Sequence, residues 1–431
     1  MAGPRRRGAA LADDYRASAA ATWSLSIEAA DRLPPTGVSR PLLELLAVLD
    51  PNGVPVDVVR TQAAAAYLGA PMPTGRDAAH HLARFSLVAL DGDSVRVHAL
   101  VQRAATEHLD DDRRHHLIRA AGDALLQIWP PVERDPQLGA ALRANALALA
   151  GRSDVALWTP EAHPVLVRTG RSLVDRGLLD AAIDYWLTLV GRSQDVLGPD
   201  HAVTLQLRTE LVRSAGRAGH PAGALAAVEA LVGDCLRVLG PDHANTLFVR
   251  GLLAYRRADA GCSAGETVSA FERLLADELR VLGPDHPQTL IARHDVARWR
   301  GAAGDLAGAV AAFEQLLAER TRVLGGDHND TLVTRDELAA WRGRGGDAAG
   351  AVAVLEHLLP DQLRVYGPAH PFTMNTRLRL AYWLERAGDV RGAVATLEHL
   401  LDDQIGALGA EHPSTMSTRD LLRELHRRRW R

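Results

Sequence analysis

Residues 281–290 read VLGPDHPQTL, and near-copies of that decapeptide return down the second half of a 431-residue chain. Val281 and Leu282 close an apolar-periodic helix, Gly283 suits a left-handed stop, and Pro284 forbids continuation. Asp285 and His286 then face the first free amides of the next helix, and Pro287 suits its opening turn. The stretch therefore reads as a joint between two helices. Its histidine recurs as His201, His243, His286, His328, His370 and His412, at intervals of 42, 43, 42, 42 and 42 residues. A fixed interval of that length is the mark of a repeat array.

Other residues keep the same register. Gly198, Gly240, Gly283, Gly325, Gly367 and Gly409 stand three before each His, and Thr204, Thr246, Thr289, Thr331, Thr373 and Thr415 three after it. Arg208, Arg250, Arg293, Arg335, Arg377 and Arg419 follow four later. Mid-repeat, Gly304-Asp305, Gly346-Asp347 and Gly388-Asp389 separate two apolar-periodic stretches, with Gly219 and Gly261 in register upstream, so each unit is two helices and two turns. In the unit 286–327, the first helix carries Leu290, Arg293, Val296, Ala297 and Arg300 at three- and four-residue spacing. Asp305 caps the second, whose Val310, Phe313, Leu316 and Leu317 form one stripe. Small residues recur where helices must approach closely: Ala254, Ala297, Ala339 and Ala381, then Gly308-Ala309, Gly350-Ala351 and Gly392-Ala393. One hairpin cannot bury its stripe alone, so neighbours stack into an all-α solenoid.

On these residues, the segment from about 163 to 431 resembles the tetratricopeptide family, and its 42-residue period with an L-G-x-x-H-P-x-T-L boundary resembles the kinesin-light-chain type. That resemblance implies a right-handed helix-turn-helix solenoid: a degenerate hairpin at 161–200, five regular ones to residue 411, and a closing helix at 412–431. It also implies that the first helices line a concave groove. The groove positions are then Glu210, Leu252, Asp295, Glu337 and Arg379, joined by Arg298, Trp299, Trp341 and Trp383. Where peptide-clamping relatives carry Asn two residues after the recurrent Arg, none stands here, and the acidic residues suit a basic or mixed ligand.

Residues 14–110 have another texture. RFSLVALDGDSVRVHALVQRAATEHL (84–109) reads as strand, Asp-Gly turn, strand and helix, behind helical stretches near 22–32, 38–49 and 56–68. Three helices and one β-hairpin make a small winged-helix-like unit. TWSLSIEAADRL, LLELLAVLDPNGVP and VRVHALVQRA resemble the segment that follows the nucleotide-binding domain in bacterial STAND/NB-ARC-type signalling NTPases, many of which carry such repeats. In that family an M-H-D motif touches the nucleotide. Val97-His98-Ala99 stands there, which makes His98 a vestigial nucleotide-contact position whose following Asp is missing. Residues 1–13 read as a disordered N-terminus and 111–160 as a helical bridge.

Composition excludes much chemistry. All 49 basic residues are arginines, so neither a P-loop lysine nor a Schiff-base lysine exists, and the NTPase domain is absent from this chain. The net charge of -4 supplies no global field for nucleic acid or anionic membrane. Cys235 and Cys262 form neither a C-x-x-C pair nor a zinc spacing, and no uninterrupted apolar run reaches 18 residues, so a reducing, cytoplasmic setting without membrane span is expected. The recurrent histidines cannot share a metal, since successive copies lie about 10 Å apart while zinc ligands converge to about 2 Å. No cofactor and no metal are expected, and no nucleophile is paired with a base. The function these observations imply is a non-enzymatic scaffold for a protein or peptide, or for a separate NTPase, acting as the regulatory part of a bacterial signalling system. The alternative is a winged-helix DNA-binding regulator; its candidate recognition helix, DAAHHLARF, offers only Arg84 and two histidines, so nucleic acid is not the expected partner.

Overall fold

A computed structural model describes residues 23–72, 74–153, 155–219 and 224–429. The segment 1–13 expected to be disordered, and the last two residues of the closing segment, lie outside them. The chain forms two compact units, Met1–His220 and Pro221–Arg431. The division falls within the first of the five regular hairpins.

The first unit runs α1 (23–31), α2 (Ser39–Ala47), β1 (Val54–Pro55), a 3-10 turn (Val56–Arg60), α3 (Gln62–Leu68), α4 (Thr74–Arg84), β2 (Ala89–Asp91), β3 (Ser94–Arg96), α5 (Ala99–Thr106), α6 (Asp111–Ile128), α7 (Pro136–Arg152), α8 (Pro164–Asp175), α9 (Leu179–Leu197) and α10 (Ala202–Arg217). α2 is apolar around most of its circumference, with Leu42, Leu43, Leu45 and Leu46 all fully buried, which makes it the central helix of this unit. The expected hairpin is present, turning at Gly92 with φ +57°. It gains a strand that the sequence did not announce: β1 joins on the β3 side, giving the antiparallel order β1-β3-β2 with Val54 opposite Val95. Two residues are too few to display a period of two. The stretch near 56–68 is likewise divided into a 3-10 turn and α3, because Thr61 is extended and its side chain accepts from the Ala64 N–H at 3.1 Å, restarting the helix.

The core does not break at 110 or at 160: Leu46, Leu117, Leu142, Leu166 and Trp186 belong to one buried cluster. Asn145 on α7 sews the bridge to the winged-helix-like part, its Oδ1 accepting from the Asp50 N–H at 3.0 Å and its Nδ2 donating to the Gly53 carbonyl at 2.8 Å.

The second unit is an uninterrupted row of antiparallel helices: α11 (Ala224–Val238), α12 (Ala244–Asp259), α13 (Ala264–Val281), α14 (Pro287–Ala302), α15 (Leu306–Leu324), α16 (Asn329–Arg344), α17 (Ala348–Tyr366), α18 (Pro371–Arg386), α19 (Val390–Leu408) and α20 (Pro413–Arg429). The joint works largely as its sequence suggests. Gly283 has φ +86°, and the His286 Nδ1 accepts from the Gln288 N–H at 3.2 Å, a cap repeated at every joint histidine. His163 caps the entry of α8 in the same way, one hairpin earlier than the regular period reveals. Asp285 departs from the expected cap. It pairs with Arg322 at 2.5 Å, as Asp242 does with Arg280 and Asp327 with Arg364, each tying one joint to the end of the following second helix. The His ring already occupies the amide that Asp285 would have reached.

A second correction concerns Gly308, Gly350 and Gly392. A side chain at any of them would collide with the carboxylate of Asp305, Asp347 or Asp389, which caps the same helix by accepting from that glycine's N–H at 2.8, 2.7 and 2.9 Å. These glycines make room for a cap, and close helix approach is left to the fully buried Ala309, Ala351 and Ala393.

Successive first helices lock together through a ring on a glycine. A Cβ built on Gly301 would meet the Trp341 ring at 2.6 Å, and one on Gly343 would strike Trp383. Gly343→Ala should therefore lower the unfolding midpoint, overpacking costing about 1–3 kcal/mol against the ~1 kcal/mol that Ala gains in helix propensity. Gly406→Ala on α19, with open space at its Cβ, should raise the midpoint, adding about 0.5–1 kcal/mol of stability. Urea titration followed by far-UV circular dichroism reads both signs.

Candidate functional site

The recurrent arginines bind within the chain. Arg250 reaches Asp277 at 2.8 Å and Arg335 reaches Asp361 at 2.6 Å, while Arg293 pairs with Glu319 and Arg377 with Asp403. Each joins the two helices of its own hairpin rather than a neighbouring repeat. A second row, seven residues further along the first helix, does cross between repeats: Arg257 to Glu229, Arg300 to Glu272 and Arg342 to Glu314 at 3.0, 2.6 and 2.5 Å. The charges that recur with the period are thus spent on the frame.

The first helices of consecutive repeats touch through side chains, whereas the second helices α13 and α15 leave a crevice of about 610 Å³ between them, floored by Val296 of α14. The groove expected from the sequence lies on the first-helix face of the second unit.

Only some of the expected groove residues are open on that face. Arg298 is exposed, and Leu252, Trp299, Glu337 and Arg379 are half-buried. Glu210, in the first unit, is instead buried beneath a double pairing with Arg171 at 2.8 Å and Arg213 at 2.5 Å. Trp341 and Trp383 are 3% and 7% exposed, because each ring is packed flat against the glycine of the preceding first helix, so neither can form a ladder for a ligand. Ala258 holds the register position of those glycines one repeat earlier, and Trp299 is half-buried, 6.3 Å from the Tyr255 ring. Asp295 is also buried; it accepts from the Tyr255 hydroxyl, and burial pushes its carboxyl up to about 7. Arg379 pairs with Asp336 at 3.0 Å and lies 3.9 Å from Glu337.

Sequence reading missed one opening on this face. A cavity of about 680 Å³ lies between α18 and α20, lined by Leu378, Arg379, Tyr382, Glu385, Leu421 and Leu425 among others. Leu378, Tyr382 and Leu421 are 38%, 46% and 42% exposed, unusual for large apolar side chains sharing one hollow. The available signal was the loss of Trp from the position held by Leu425.

In the first unit, His98 is exposed and caps α5, its Nδ1 accepting from the Leu100 N–H at 3.3 Å. Among the described residues no helix is long and apolar enough to cross a membrane, and no group of three or more His, Cys, Asp or Glu is placed to hold a metal ion.

Residues 289–330 match the family model of the tetratricopeptide repeat. Since the hairpins around that segment share its register, joint and caps, the chain carries a solenoid of tetratricopeptide repeats. No curated relative matches. Among solved structures, the chain is similar to the nearly identical TPR-like repeats of a kinesin light chain from Podosopora anserina, at 26% identity over 48% of this chain and 98% of that one, with a TM-score of 0.41. It is also similar to a Signal Transduction ATPase with Numerous Domains bearing a tetratricopeptide repeat sensor from Pyrococcus horikoshii, at 11% identity over 90% and 59% of the two chains, TM-score 0.46. A Rap protein complexed with Competence and Sporulation Factor shares the fold at 11% identity over 77% and 92%, TM-score 0.50.

The buried Asp295 gives the second unit a pH dependence of known sign. Its folded-state value of about 7 lies above the 3.8 of a free carboxyl, so the native state holds a proton that the unfolded chain releases. That stability is complete below about pH 4 and lost as pH rises through 7. Burial pushes Glu278 up to about 7 with the same sign and His294 down to about 3 with the opposite one, so the readout is a difference between proteins. Relative to wild type, Asp295→Asn should melt progressively higher as pH is raised from about 4 to 7 and keep a constant gain above that, which differential scanning calorimetry measures directly.

Proposed function

We propose that this chain is a non-enzymatic scaffold that holds a protein or peptide along the first-helix face of its repeats, and that it serves as the regulatory part of a bacterial signal-transduction system. The observation that carries the reading is a division of labour. Residues that recur with the period are consumed in caps, stacked rings and ion pairs, while the exposed first-helix residues Arg298, Leu378, Tyr382 and Leu421 and the half-buried Glu337 differ from repeat to repeat. A surface that varies on a frame that does not is what selective recognition needs. The Rap structure, solved with Competence and Sporulation Factor, has the same fold and supports a ligand-sensing role. The signalling part rests on the resemblance of the first hundred residues to the segment that follows the nucleotide-binding domain in STAND-type proteins; a separate NTPase is the partner it favours.

The test is quantitative affinity capture from the native cytosol with three proteins: wild type, the first-helix variant Arg298→Glu with Glu337→Arg, and the second-helix control Glu398→Arg. Wild type and control should retain the same partner, and the first-helix variant should lose it by about tenfold or more, as reversal of rim charges does. Equal retention by all three would remove the groove reading. Saturable ATP hydrolysis by the purified chain would overturn the non-enzymatic one, and a salt-sensitive shift of duplex DNA would favour a role for α4 in its place.

A further inference from the structure

In the repeats, arginines are spent on carboxylates, as Arg250 is on Asp277 at 2.8 Å and Arg335 on Asp361 at 2.6 Å. One cavity of the first unit departs from that habit. It measures about 380 Å³ where the end of α2 meets α5, α6 and the end of α7, and Arg103 of α5, Arg114 of α6 and Arg152 of α7 all line it. Arg152 is fixed by neutral groups. It donates to the Ala47 carbonyl and, at 2.7 Å, to Oε1 of the buried Gln102, whose Nε2 donates to the Leu49 carbonyl at 3.0 Å. Arg114 donates to the Thr106 carbonyl at 3.1 Å. Among the described residues neither of these two arginines forms an ion pair. Arg103 lies 4.0 Å from Glu107 with both side chains open to water, a pairing worth little.

Bonds to carbonyl oxygens occupy donors without removing charge. A guanidinium has five N–H donors, so Arg114 and Arg152 keep most of theirs. Asp50 acts on Arg152 through space, while its Oδ1 accepts from the Asn52 backbone and side-chain amides at 3.0 and 2.9 Å. Partial burial outweighs that attraction and holds the Arg152 guanidinium below its ordinary value. Like charges gathered in a part-dry hollow are costly unless an anion joins them, and guanidinium forks from three helices suit a tetrahedral oxyanion with several acceptor oxygens. Val48, Pro51, Leu109 and Ile118 add an apolar wall, and no aromatic ring lines the hollow to stack a nucleobase. His98 is not in that wall; its ring caps α5. We propose that this cavity binds the phosphoryl group of a phosphate monoester. Arg103, Arg114 and Arg152 take the phosphoryl oxygens, and the carbons of the ester lie against Leu109 and Ile118. The site belongs to the first unit and does not depend on the first-helix face of the repeats, so either reading can fail alone.

The full chain, in phosphate-free chloride buffer at neutral pH, is titrated calorimetrically with glycerol 3-phosphate, acetyl-Ala-phosphoseryl-Ala amide and inorganic phosphate. Saturable binding of both esters is expected, each tighter than inorganic phosphate, and the tighter ester tells whether the source is a free metabolite or a modified side chain of a partner. Arg103→Gln and Arg114→Gln, at exposed positions, should each weaken the esters by about tenfold with an unchanged circular dichroism spectrum and melting temperature. Arg76→Gln, which removes an equally exposed charge from α4, should leave the affinity as it was. Absence of saturable ester binding, equal affinity for inorganic phosphate and both esters, unchanged affinity in Arg103→Gln and Arg114→Gln, or an equal loss in all three variants would overturn the site.

Discussion

Every second helix must stop, and the next first helix must start, within about five residues. That constraint organises the repeats. A glycine with positive φ ends one helix, and the ring of the following histidine takes the amide two residues on, so direction is reversed with the exposed backbone donor already satisfied. The buried threonine three residues later closes the joint at some copies, Thr331 donating to the Gly325 carbonyl at 2.9 Å and Thr204 to the Gly198 carbonyl at 2.8 Å. Because the joint is self-contained, consecutive hairpins are set at a constant offset, and the rings, small residues and arginine pairs can repeat their contacts at that offset.

The sign of each repeating interaction follows from its burial. The ion pairs that tie joint to joint are exposed and screened, so they align helices more than they stabilise them. The Gly–Trp stacks are dry and geometrically exclusive. Where a partner is lost, its counterpart disappears too: Ala369 and Gly406 stand at the two positions that carry Asp and Arg in the preceding repeats. The last repeat thereby gives up both its joint-to-joint pair and its stacked ring, and it is there that the first-helix face opens into a cavity.

Much of the frame was legible in the sequence because period, turn glycines and caps are local signals. The number of helices per repeat, the left-handed stops, the Asp caps and the Asp-Gly hairpin could be read directly. What could not be read was pairwise geometry. Asp285 looked like a cap because it precedes a helix, and only the position of the His286 ring shows the amide to be taken. Gly308 looked like a contact residue because contact and cap both call for a small side chain. Glu210, Asp295, Trp341 and Trp383 sit in the register of the groove, yet whether a first-helix side chain points to the groove or to its neighbour turns on tens of degrees of helix rotation, which a pattern of letters does not fix. β1 is too short to carry a pattern at all.

The central claim is that the recurring decapeptide is structural and that recognition lies on the first-helix residues that differ. Asn caps a helix as well as the imidazole does and cannot replace it as a proton carrier. The protein with His286→Asn, His328→Asn and His370→Asn together should keep its circular dichroism spectrum, melt within a few degrees of wild type, and retain the same captured partner. Loss of that partner from a triple variant that melts like wild type would place recognition in the joints and contradict the account.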